Sequence, residues 1–304
     1  MSIPGLPIEL EQLCFEELAQ THPISTLSLM LVAWRVKEWV EPFLYRTLIA
    51  GLKAGPEFPN IFWDEMAMLQ RRDLTIRSHC RNLLLFQPSM SQIVSALKAF
   101  PNIADLYLAT NGATDDVDSE FPAAFNGLRS LRRLHCDLEI FENDFPEAEI
   151  FRQPGFASVT HLELFDRPFD MRNPDCDPET WRVFADLPAL THLAMENTPP
   201  VRFVEYLLVK VLPPTTSKLR VFAMQPDDGM TRTPFRLSTA LRHEARLVIM
   251  DWPDWRAGWE AGVLVSSRED MWGKVERILE ERRVRVRETG EVFCHERFVE
   301  EANE

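Results

Sequence analysis

Past residue 75 the chain repeats one short pattern, apolar-x-x-apolar-x-apolar. It runs Cys80-xx-Leu83-x-Leu85, Ile103-xx-Leu106-x-Leu108, Leu131-xx-Leu134-x-Cys136 and Val159-xx-Leu162-x-Leu164. It continues as Leu190-xx-Leu193-x-Met195 and Leu219-xx-Phe222-x-Met224, with a weaker copy at Ala245-xx-Val248-x-Met250. The middle apolar residues at 83, 106, 134, 162, 193, 222 and 248 recur at steps of 23 to 31 residues. Alternation with period two predicts a short strand at each copy. Between copies, three-to-four spacing predicts helices: Ile93, Val94 and Leu97 in 91–100; Trp181, Phe184 and Leu187 in 178–187; Phe203, Val204, Leu207, Leu208 and Val211 in 201–212.

Self-similarity at this period predicts an α/β solenoid: a curved parallel sheet on the concave side and helices outside. Steps near 28 residues resemble the strand–helix class of leucine-rich repeats. About seven irregular repeats fill 49–251, and Asn111 is the one clear candidate for an asparagine ladder. If the LxL residues point into the core, their neighbours face the other way. That places Asp105, Tyr107, Arg133, His135, Asp137, His161, Glu163, Phe165, His192 and Glu196 on the concave face, where a protein target would bind; Ala194, Val221, Ala223 and Gln225 complete the rows. The alternative is a solvated strand row that binds nothing. His135, His161 and His192 would form a ladder about 5 Å apart if they share a register. Hydrogen bonds to carboxylates such as Asp137 and Glu163 are expected there rather than a metal.

The first fifty residues follow another pattern. Leu10, Leu13, Cys14 and Leu18 have helical spacing, with acidic residues after Pro7 favouring a helix start. His22-Pro23 breaks the helix. Leu27, Leu29, Met30, Leu31 and Val32 follow, and then Val36, Trp39, Val40, Phe43 and Leu44 at helical spacing. Three short helices with such wide apolar faces cannot bury them alone. The register Leu6-Pro7-x-Glu9-Leu10-xxx-Cys14-Phe15-xx-Leu18, then Leu31-Val32-Ala33-Trp34-Arg35-Val36 and Trp39-Val40-Glu41-Pro42-Phe43-Leu44-Tyr45-Arg46-Thr47-Leu48, resembles the F-box-like proteins abundant in mushroom-forming fungi. Cys14, Ala33 and Val36 depart from the residues usual there. The resemblance covers 1–48. It implies docking on the Skp-type adaptor, and through it a cullin, of a cullin–RING ubiquitin ligase, carried by Leu6, Pro7, Leu10, Phe15, Leu18, Leu31 and Val32. The alternative is an N-terminal cap on the solenoid with no ligase link.

At the other end, Trp252, Trp255, Trp259 and Trp272 crowd one stretch. Ser267 and Asp270 resemble a helix start, and Met271, Val275, Ile278 and Leu279 share a face. Residues 252–304 are expected to be a tryptophan-rich helical cap over the last repeat, with a tail.

Composition narrows the function. The chain has 304 residues and 45% apolar residues, as folded domains do; 22 Pro against 11 Gly fits punctuation between many short units. A net charge of −14 opposes nucleic-acid binding. No apolar run suits a membrane span or a signal peptide, and five scattered cysteines suggest neither disulfides nor zinc, so a cytoplasmic or nuclear protein is expected. No phosphate loop, dinucleotide fingerprint or nucleophile elbow occurs. His243-Glu244 and His295-Glu296 lack the second His of a zinc protease, and 173–179 lacks the Gly and distal Glu of a calcium loop. No enzyme, cofactor or metal is expected.

Overall fold

The structure, a computed structural model, describes residues 6–52, 58, 60–61, 63, 71, 74–110, 119–142, 144–165, 178–196, 199–224, 238, 241, 244–250, 255–263 and 270–289. Asn111, the calcium-like residues 173–177, Gln225, His243, Trp252, Ser267, the His295-Glu296 pair and the tail lie outside them, as does the Trp255 side chain.

Helices α1 (Ile8–Thr21), α2 (Thr26–Leu29) and α3 (Trp34–Leu44) come first. They enclose a small core of Ala19, Leu29, Val36 and Val40, backed by Phe15, Met30, Ala33, Trp39 and Phe43. The Arg35–Glu11 ion pair ties α3 to α1 at 2.8 Å.

The remainder is mixed α/β, built on one open sheet whose paired strands are all parallel. Its strands are β1 (Thr47–Ala50), β2 (Asn60–Ile61), β3 (Asn82–Phe86), β4 (Asp105–Ala109) and β5 (Arg133–Cys136), then β6 (His161–Leu164), β7 (His192–Met195), β8 (Val221–Met224) and β9 (Leu247–Ile249). The order is β2-β1-β3 and then sequential to β9. A strand therefore forms at each of the seven repeating positions. β1 and β2 were not foreseen, and β1 starts two residues before 49. Gly51, at φ +82°, turns the chain after β1. A Cβ there would sit 2.2 Å from the Phe86 carbonyl oxygen, so only glycine fits.

Parallel neighbours need crossovers, and here these supply one covered face. They include α4 (Leu74–His79), α5 (Met90–Ala99), α6 (Phe121–Asn126), α7 (Glu139–Glu142) and α8 (Val201–Tyr206). Ser89 caps α5 in a reciprocal capping box with Gln92. A π-helical stretch, Leu207–Val211, extends α8, whereas Pro178–Asp186 is a 3-10 helix. The LxL side chains pack against these segments in the main core. Phe121, Phe125, Phe141, Phe156, Phe151, Phe184, Trp181 and Phe203 run through it as a chain of ring contacts with centroids 4.8–6.1 Å apart. Large rings fill the uneven space between repeats of unequal length.

Where the strands begin, each carbonyl accepts two N–H groups from the next repeat. Arg81 O takes Ala104 and Asp105, Ala104 O takes Arg132 and Arg133, Arg132 O takes Thr160 and His161, and Thr160 O takes Thr191 and His192. The hydroxyls of Thr160 and Thr191 donate to the same carbonyls that hold their own N–H groups, which explains the shared Thr-His pair of those repeats.

The weak seventh copy is offset. β9 pairs Leu247 with Phe222 and Ile249 with Met224, so Leu247 and Ile249 point into the main core. Val248 and Met250 face the other way. A one-residue slip reverses every side chain of a strand.

Helices α9 (Trp255–Val263) and α10 (Met271–Thr289) end the described chain. Asp270 caps α10, its Oδ1 accepting from the Gly273 N–H at 2.6 Å. Among the described residues no helix is long and apolar enough to cross a membrane.

Candidate interaction surfaces

The N-terminal helices carry an uncovered apolar surface. Among the described residues, Leu6, Ile8, Leu10, Leu13, Leu18, Ile24, Leu27, Leu31, Val32 and Trp34 are exposed large apolar side chains; elsewhere only Val209 and Val284 are. Leu31 is 87% exposed. The α1 stripe of Leu10, Leu13, Cys14 and Leu18 thus faces outward, while Phe15 and Ala19 face the small core. Of the residues assigned to adaptor docking, Leu6, Pro7, Leu10, Leu18, Leu31 and Val32 are exposed. Phe15 is half-buried against the helical core, so it supports the helices rather than lining the outer surface. Leu13, Ile24, Leu27 and Trp34 belong to that surface and were not singled out.

The second surface is the sheet face opposite the crossovers. Register sets its rows. One row runs Asp105, Arg133, His161, His192 and Val221. The next runs Ile49, Leu84, Tyr107, His135, Glu163, Ala194, Ala223 and Val248. His135 therefore does not continue the histidine ladder. Only His161 and His192 stack, with centroids 4.0 Å apart and planes 10° from parallel.

This face is not open. The tryptophan-rich segment does not simply close the last repeat but folds back across the sheet. Trp259 of α9 packs with Ile49, Leu84 and Tyr107, and its Nε1–H donates to Asp105 Oδ1 at 2.8 Å. Arg133 Nη1 donates to Asp270 Oδ2 at 3.0 Å. The Trp272 ring meets the edges of His161 and His192, at 5.1 and 5.5 Å. Glu276 Oε1 lies 2.9 Å from His192 Nε2 and 3.7 Å from Arg220. Trp272, Val275, Ile278 and Leu279 then pack on Ala194, Val221, Ala223, Val248 and Met250. Capping does occur at the far end, where Arg282 Nη1 donates to the Leu247 carbonyl of the edge strand at 2.7 Å.

Burial changes the chemistry of the row residues. Burial pushes the Asp105 carboxyl up, against the pull of His135, Trp259 and Arg133. His135 is buried too, which opposes its charging. Its Nδ1 contact with Glu163 Oε2 at 2.5 Å, with the charges of Glu163 and Asp105, outweighs that and raises its pKa. Tyr107 stacks on His135 at 5.1 Å and meets the tilted ring of Phe165 at 4.9 Å, and burial raises its pKa. His161 is held neutral, its pKa lowered to about 2 by burial, His192, Arg133 and His135. Burial also lowers His192, with Glu276 opposing. Thr160 and Thr191 hydroxyls pair with Nδ1 of His161 and His192 at 2.9 and 2.7 Å. At the strand ends, burial raises Asp137, whose Oδ2 accepts from the Thr110 hydroxyl at 2.5 Å. Glu196 is pushed up to about 8 by burial and by the charges of Glu163 and Asp137.

The ten residues assigned to the concave face thus do share one face, but Asp105, Tyr107, His135, Glu163 and His192 are buried under or beside the returning helices. The signal for this cover was present: Asp270, Trp272 and Glu276 match a face of Arg and His. Among the described residues no group of three or more His, Cys, Asp or Glu is placed to hold a metal ion. No family model matches the chain, and no curated protein matches it.

Proposed function

We propose that the chain is the substrate-receptor subunit of a cullin–RING ubiquitin ligase. An F-box-like unit at 1–48 docks the Skp-type adaptor, and an irregular leucine-rich-repeat solenoid holds a protein target. One observation carries the reading: the N-terminal helices close a core of their own, yet turn an apolar surface of ten large side chains outward. Exposed patches of this kind mark partner sites. A cap would spend that surface on its own solenoid. Co-expression of the full chain with a Skp-type adaptor is expected to yield a one-to-one complex. Absence of any complex overturns the reading.

A second reading is a leucine-rich-repeat scaffold capped by these helices. Tyr45 packs on the main core, and the Arg46 carbonyl accepts the N–H groups of Arg81 and Asn82, which favours it. Removing 1–44 discriminates: a cap leaves an aggregating solenoid, an independent module leaves a folded one.

A further inference from the structure

We propose that α10 is an intramolecular ligand closing the target-recognition face, and that the target displaces it with an amphipathic helix carrying two acids at the same spacing. The existence of a target rests on the receptor reading; the closure does not.

The geometry is that of a helix read by a repeat. A helical turn advances about 5.4 Å and neighbouring strands lie about 4.8 Å apart. A helix laid across the strands therefore presents about one turn to each repeat. α10 does so. Asp270 meets Arg133 on β5, Trp272 meets His161 on β6 and His192 on β7, Glu276 meets His192 and Arg220 beside β8, and Arg282 reaches β9. Ala194 and Ala223 keep the floor low where the apolar seam sits. Charge is complementary: the sheet offers Arg133 and Arg220, and the helix offers Asp270 and Glu276.

The contact is also suited to opening. The sheet buries its LxL side chains in a core that α10 does not enter. Two of the residues bridging to α10 are partly solvated, Arg133 and Glu276 having side chains 32% and 34% exposed, so water can replace their bonds, whereas His192 and Arg282 are buried. Trp272 Nε1 is buried without a hydrogen-bond partner, a cost that opening relieves. A partner helix with the pattern acid-x-aromatic-x-x-aliphatic-acid would make the same contacts.

The test uses the full chain and its Asp270→Asn/Glu276→Gln variant. Asn retains the cap, and the sheet is untouched. The probe is a labelled peptide of residues 270–289, followed by fluorescence anisotropy, with amide hydrogen exchange in parallel. The variant is expected to bind the peptide at least tenfold more tightly than the parent, and α10 amides to exchange faster while those of β5–β8 do not change. Equal peptide binding by the two proteins, or α10 exchanging in step with the strands, overturns the proposal. Capture of the Skp-type adaptor by the same variant reports on the N-terminal helices alone, so the two readings fail separately.

Discussion

Replacing Leu31 and Val32 by Ala separates a docking surface from a fold-supporting one. Leu31 is 87% exposed and Val32 60% exposed. Each buried methylene is worth about 0.8 kcal/mol. Leu→Ala removes three carbons, so full cover of the exposed fraction by an adaptor makes Leu31 worth about 2 kcal/mol. Val→Ala removes two, which makes Val32 worth about 1 kcal/mol on the same scale. Together the double variant is expected to weaken adaptor binding by about 3 kcal/mol, on the order of 100-fold in Kd. Folding should change by less than about 0.5 kcal/mol, because neither side chain has much cover to lose. The control is Val40→Ala, fully buried in the small helical core; it should cost about 2 kcal/mol of stability through lost burial and the cavity left behind. Adaptor affinity is read by calorimetry on purified full-length proteins, and stability by urea unfolding. Unchanged affinity in the double variant, or a stability loss as large as that of Val40→Ala, would refute the assignment: the first moves docking elsewhere, the second makes these residues internal.

Three further outcomes follow from buried groups. Gly155→Ala would place a Cβ 2.4 Å from Phe125 Cε1 and 2.8 Å from its carbonyl oxygen inside the aromatic chain; a loss of about 3 kcal/mol in urea unfolding is expected. Arg246 is buried, donates to the Leu208 and Leu212 carbonyls at 2.9 and 2.6 Å and pairs with Glu244; Arg246→Met strands all three and should cost about 3–5 kcal/mol by the same assay. Glu196 has a folded pKa near 8, above its ordinary value of 4.5, so the fold favours its protonated form and loses stability as pH rises across that window. Glu196→Gln should therefore raise Tm by several degrees at pH 8 and leave it unchanged at pH 4, as followed by thermal scans; a gain at pH 4 equal to that at pH 8 would reverse the sign of this reasoning.

Most of the sheet was legible because period-two alternation survives wherever one strand face is polar. It failed at two strands that are apolar on both faces, β1 and β9, whereas β3 and β8, equally apolar, were still placed by the repeat spacing. Leu247-Val248-Ile249-Met250 is an unbroken apolar run, so pattern alone leaves its register open, and pairing with Phe222 and Met224 decides it. Thr47–Ala50 is buried throughout, its Ile49 lying beneath Trp259, and shows no alternation either. The histidines were separable in principle. His161 and His192 precede the middle leucine of their repeats, whereas His135 follows its own, and that offset places it beside Glu163 in the next row.

The two chain ends show what helical periodicity can and cannot carry. Leu10, Leu13 and Leu18 in α1 and Trp272, Val275, Ile278 and Leu279 in α10 are the same kind of signal, an apolar stripe at three-to-four spacing. Periodicity says that each stripe is to be covered, but not by what. For α10 the cover lies within the chain, because its acids meet Arg133, His192 and Arg220 and its stripe finds Ala194 and Ala223 low enough to admit it. For α1 no such surface lies among the described residues, and Leu10, Leu13 and Leu18 stay exposed, as do Leu31 and Trp34. The difference is one of complement rather than of pattern. On the proposed reading, the N-terminal stripe is the one that another protein covers, and the C-terminal stripe the one that another protein displaces.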